Sequence, residues 1–250
     1  MKSHTILTKS SRGFSIVEVA VAMGVVTLML TTFLGIFGPA QKTVQRSLST
    51  KDASAMKDAL NNEFSILREQ EKIDLGVTTA FGKAVNFITE SHNLDTTVLV
   101  YRYKAEPVDP DNDGILPAYT GIGGIPGQDY VVQTAVRKFR IGQAPNLNLN
   151  PLVASELAVE SVDGPVFVVR MTQLLNNTNS DLILSTQLDQ LLDPDDHNIV
   201  SVATYDDAVI SFRADFYQLP SNALGFVNSN SWNFDTIGSP VVSANIASRR

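Results

Sequence analysis

Residues 19–41 carry no charged side chain, and residues 14–37 are apolar or small almost throughout. At about 1.5 Å per residue, roughly 20 apolar residues cross a hydrocarbon core of about 30 Å, so this stretch is long enough to span a bilayer. Lys2, Lys9 and Arg12 precede it without an acidic neighbour. Positive charge stays on the cytoplasmic side, which predicts that residues 1–13 are cytoplasmic and that the chain beyond residue 38 lies outside. A cleaved secretory signal has an apolar region of only about 7 to 15 residues before a small-x-small site. Ala20-Val21-Ala22 has that spacing, but cleavage there would leave most of the apolar run attached. A plain signal anchor fits the length and flanks but leaves Glu18 unexplained. A carboxylate at the centre of a membrane helix costs about 2.5 to 3.5 kcal/mol, less near its end, and such groups usually have a role. A buried core helix is the poorest fit, because of its basic preface.

Composition narrows the remaining function classes. The chain has 250 residues, 44% of them hydrophobic, which is enough for a core of ordinary size. With no cysteine, disulfides and thiolate metal sites are excluded. A net charge of -7 makes nucleic acid a poor partner, since that affinity comes from basic groups neutralising phosphates. The one dense basic run, Arg137-Lys138-Phe139-Arg140, sits in a strand-like segment. No enzyme constellation assembles either: His4 lies in the basic preface, and His92 and His197 stand alone. The glycine-rich residues 121–127 lack the Gly-Lys-Ser/Thr of a phosphate loop, and Pro126 falls where its helix would begin. Asp195-Asp196-His197 reads as a loop. The expectation is a protein that is not an enzyme.

Ser11-Arg12-Gly13-Phe14-Ser15-Ile16-Val17-Glu18-Val19 resembles the processing motif of type IV prepilins and pseudopilins: a short basic leader, Gly, Phe, three mostly apolar residues, then Glu. The resemblance implies that a prepilin peptidase cuts after Gly13 and methylates the new N-terminal Phe14. It also implies that Glu18 helps subunits join a filament, with other pilin subunits and an inner-membrane assembly machinery as partners. The physical sense of the glutamate follows. Paired with a neighbouring subunit's amine in low dielectric, it would reward one stagger over others, a role in specificity rather than stability. The simpler reading is that Glu18 snorkels toward the headgroups. A weaker resemblance, to the pilin-like cassette proteins of Verrucomicrobia, rests on the same start and on Gly35-Ile36-Phe37-Gly38-Pro39. Both cover only the N-terminal part of the chain.

After the span, Pro39 is expected to kink or weaken the helix. Val44, Leu48, Met56, Leu60, Phe64 and Leu67 then recur near four-residue spacing, with a gap around Asp52 that reads as a bend, and Gly76 is a plausible stop. One helix over residues 14–74 is expected. Beyond it the period changes to two. Ala208, Ile210, Phe212, Ala214 and Phe216 alternate with more polar residues, as do Phe167, Val169 and Met171. Residues 98–103, 130–141 and 199–205 complete about five strands, while residues 182–192 read as a short helix. Residues 105–129, 142–151, 176–181 and 220–240 read as loops. The expected fold is α+β, a long N-terminal helix packed on an antiparallel sheet head. Its domains are a leader (1–13), a spanning helix (14–38), an amphipathic helix (39–76) and a β-rich head (77–250). So large a head fits a minor pilin or pseudopilin by resemblance.

The head holds one candidate for ion chemistry. Asp109, Asp111 and Asp113 stand at positions one, three and five of a turn with Gly114 at six, and Ile115 offers a carbonyl, like the front half of an EF-hand loop for calcium. The back half departs: position twelve is Thr120 and Pro117 forbids a flanking helix. Asp, Asn, Pro and Gly are also ordinary turn formers. The functional expectation is a filament subunit, stored in a bacterial inner membrane with its head outside the cytoplasm and then moved into a periplasmic or surface filament. The alternative is an uncleaved signal-anchored protein whose outer head binds a ligand.

Overall fold

The computed structural model describes residues 15–93, 95–141, 148–177, 181–220, 223–227 and 233–250. The chain divides into two compact units, Met1–Ser47 and Leu48–Arg250. The first is helical where described. Helix α1 (Ile16–Glu63) continues from it into the second unit and runs through Pro39. Within it, Ile16–Gln41 is long and apolar enough to cross a membrane, and none of it is buried. The hydroxyls of Thr27, Thr31 and Thr32 are folded back onto the carbonyls four residues earlier, so these polar groups present no free donor to an apolar surround.

The second unit begins at Leu48, inside the amphipathic stretch. One continuous helix to residue 74 does not form: α1 ends at Glu63, and α2 (Glu69–Leu75) follows after a short turn. The reason is local chemistry. The Ile66 carbonyl turns to accept a bond from Lys83, and the Arg68 amide is taken by the Glu71 carboxylate, which starts a new helix. Gly76 closes α2 with φ 65°, a conformation that favours glycine. α1 is continuous through the gap at Asp52, whose carboxylate lies 3.4 Å from the Arg102 guanidinium.

A further helix follows, α3 (Ala80–Glu90), capped by the Thr79 hydroxyl on the Gly82 amide. The sheet then builds from β1 (Val98–Ala105), β2 (Val131–Lys138), β5 (Phe167–Asn176), β6 (Leu182–Leu184), β7 (Val209–Gln218) and β8 (Val242–Arg249). Its order is β2-β1-β5-β7-β8, every pairing is antiparallel, and β6 extends β5. A separate pair, β3 (Arg140–Ile141) and β4 (Asn148–Leu149), leads into α4 (Pro151–Glu156). Short helices α5 (Ala223–Val227) and α6 (Phe234–Ile237) fall in the stretch read as a loop.

Residues 182–192 are therefore not a helix, because Leu182 and Ile183 pair with Asn176 and Leu175. Nor do residues 199–205 form a strand; a single bridge joins Ile199 to Leu192 before the chain turns. The sheet is covered on both faces. Val98, Val100, Phe167, Val169, Met171 and Phe212 share a core with Ala53, Met56 and Leu60 of α1, with Phe64 just after it, and with α3. Leu99, Tyr101 and Val168 join a second core with Val153 and Leu157. Phe64 sits at the first junction, edge-on to Phe87 and to Phe212 at 5.8 and 5.7 Å.

Candidate functional site

Three places carry candidate chemistry, two of them singled out by sequence. At the start of α1, Ser15 and Glu18 cap the helix reciprocally: the Ser15 amide donates to Glu18 Oε2 at 2.9 Å, and the Val17 amide donates to Ser15 Oγ at 3.3 Å. The carboxylate thus has a local partner and sits in the first turn, where the helix dipole favours a negative charge. The signal for this was legible, since Ser15-Ile16-Val17-Glu18 has capping-box spacing. Gly13 and Phe14, the expected processing residues, lie outside the described residues.

The second place is the 109–115 turn. Asp109 Oδ1 accepts the amides of Asp111 and Asn112, and Oδ2 accepts that of Gly114 at 2.9 Å. Asp113 Oδ1 accepts the Ile115 amide. Asn112 and Gly114 have φ of 53° and 81°, which suits Asn and Gly. Asp109 therefore curls the turn onto its own backbone. Among the described residues no group of three or more His, Cys, Asp or Glu side chains is placed to hold a metal ion.

The third place was missed in the sequence. A cavity of about 370 Å³ opens between α2, β2, the start of α4 and the 109–115 turn. Beside it lie two buried ion networks. Lys83, fully buried, donates to Glu63 at 2.5 Å, to both Glu71 oxygens at 2.8 Å and to the Ile66 carbonyl at 3.1 Å. Arg68 bridges the same two glutamates. Burial pushes the Glu63 carboxyl up, but the Arg68 hydrogen bonds and the Lys83 charge outweigh it and hold Glu63 below the ordinary range. In the other network Glu156, 1% exposed, receives the Tyr101 hydroxyl and the Arg137 guanidinium, the latter at 3.2 Å. Burial first and the Glu156 charge second raise Tyr101 well above its ordinary value, so it stays a neutral donor. Lys138 donates to Glu90 and Asn86; its burial outweighs the Glu90 charge and lowers its pKa.

His92 and His197 are also accounted for as structure. His92 Nε2 lies 2.6 Å from the Met171 carbonyl, and His197 Nε2 lies 2.8 Å from that of Asn176. No protein-family model, curated protein or solved structure matches this chain.

Proposed function

We propose that this chain is a pilin-like structural subunit, a minor pilin or pseudopilin, which is membrane-anchored before assembly and then joins a filament through its N-terminal helix. The observation that carries the reading is the helix Ile16–Gln41, wholly unburied, apolar along its length and interrupted by one carboxylate near its start. Water is a poor surround for such a surface. A bilayer satisfies it before assembly, and a bundle of like helices satisfies it afterwards. Glu18, capped by Ser15 in the isolated chain, would exchange that partner for the amine freed at Phe14 on a neighbouring subunit. The globular unit Leu48–Arg250 folds around its own two cores and would ride outside the cytoplasm. The test is to shear surface filaments from cells, or enrich periplasmic ones, and probe for this chain. Recovery with the filament fraction in an assembly-competent strain, and only with membranes in an assembly-deficient one, supports the reading. Recovery with membranes in both supports the signal-anchored binding protein instead.

A further inference from the structure

The geometry points to a binding site for a small organic cation on an alkyl stem, in the cavity between α2, β2 and the 109–115 turn, with Asp111 and Asp113 as its counter-ions. Three cations line this cavity, yet each already has its own carboxylate. Arg68 is held by Glu63 and Glu71, Arg137 by Glu156 at 3.2 Å, and Lys138 by Glu90 at 2.5 Å. An incoming anion would have to break one of these buried pairs and leave a carboxylate stranded, which is strongly unfavourable. The carboxylates of Asp74, Asp111 and Asp113 line the same cavity and form no ion pair among the described residues. Asp113 spends one oxygen on the Ile115 amide, and the Asp111 carboxylate accepts no hydrogen bond among the described residues. The unspent charge at the cavity is therefore negative.

Leu75, Phe87, Ile115, Val136 and Leu152 give the lining its hydrocarbon, beside polar groups that include Gln70, Asn112 and Asn150. A bare inorganic cation would meet the carboxylates and leave this lining wet. A neutral hydrocarbon would fill the lining and leave the exposed carboxylates of Asp111 and Asp113 without a partner. An ammonium or guanidinium on a short alkyl stem meets both demands, in the way that lysine and arginine side chains bury their stems and expose their heads. The volume of about 370 Å³ lies at the small end of ligand cavities, which run from about 300 to 1,000 Å³. The shared chemistry has two sources, a free alkylamine or alkylguanidine and a basic side chain presented by another protein.

The test titrates n-butylguanidinium into the full chain in zwitterionic nanodiscs at low salt, with chelator present so that calcium does not compete for Asp111 and Asp113. Calorimetry or ligand-observed NMR reads the binding. Saturable binding is expected, weakened about tenfold by Asp111→Asn combined with Asp113→Asn, reduced by added salt, and abolished when Leu152→Trp fills the cavity. n-Butanol and n-butyl sulfonate should not bind. A blocked Gly-Arg-Gly peptide forms the second arm. Binding of the peptide as well assigns the site to a protein side chain, and binding of butylguanidinium alone assigns it to a free small molecule. Unchanged melting temperatures show that the variants remain folded. No saturable binding of either probe, or binding equal in the wild type and both variants, overturns the proposal.

Discussion

Lys83 Nζ lies 2.5 Å from Glu63 Oε1, so a fully buried ammonium ties the last residue of α1 to α3. Glu71 joins the same ammonium from α2, and the ammonium lies over the Phe87 ring, 5.7 Å from its centroid. A buried pair of this kind adds little over a well-packed apolar substitute, but losing one partner strands the other in low dielectric. Lys83→Met is expected to cost about 3 to 5 kcal/mol in chemical denaturation, and adding Glu63→Gln should recover part of that loss. A Lys83→Met chain as stable as the wild type would mean that water reaches the network.

The same network sets an acid limit. Glu63 is held below its ordinary value of 4.5 by the Arg68 and Lys83 contacts, against the opposing effect of burial. A carboxyl whose folded pKa is depressed stabilises the fold fully above its unfolded pKa and loses that contribution as pH falls through the folded one. Stability should therefore be flat in this respect above about pH 5 and fall progressively below pH 4.5. Glu63→Gln should flatten that fall. Denaturation midpoints measured between pH 3 and 7 for both chains check it.

How much of this was legible in the sequence varied with the physical cause. The clean alternation of β7 was readable because one face of that strand meets the α1 and α3 core. β1 reads as an unbroken run, Val98-Leu99-Val100-Tyr101, because both of its faces are buried. α3 carried a readable signal, Phe81, Ala84, Val85 and Ile88 at helical spacing behind the Thr79 cap. It was hidden by Lys83, a charge at a position that proved to be core. β8 was illegible because an edge strand of Ser, Ala and Asn needs little hydrophobicity; β7 supplies its pairing. The cavity could not be read at all. Its walls come from within residues 68–75, from Phe87, and from within 111–115, 136–138 and 150–152, which only the tertiary fold brings together.

The 109–115 turn carries a proposal of its own, calcium held by Asp109, Asp111, Asp113 and the Ile115 carbonyl. Asp109 already curls the turn, so the ion would have to draw Asp111 and Asp113 inward against their mutual repulsion. Extracellular calcium modules have dissociation constants of about 0.1 to 1 mM, and free calcium at ten times such a constant stabilises a fold by about 1.4 kcal/mol. The expected outcome is a higher melting temperature in millimolar calcium than in chelator, lost in Asp111→Ala. Equal melting in both conditions, with no heat of binding, would leave a solvated turn held by Asp109.

Glu18 separates membrane insertion from filament entry. Removing the Ser15 cap interaction costs the helix end about 1 kcal/mol, far less than the transfer of the apolar span contributes. Glu18→Ala should therefore insert and be processed normally, yet enter filaments poorly. Normal incorporation of the variant, read by its share of the sheared-filament fraction, would show that the carboxylate serves only the helix cap.

The most direct measurement is the N-terminal mass of the chain extracted from membranes of cells with an active prepilin peptidase. The account predicts a mature chain that begins at Phe14 and carries one methyl group on its α-amine, with residues 1–13 gone. A chain that retains Met1 in those cells, while a known prepilin in the same sample is cut and methylated, would contradict it.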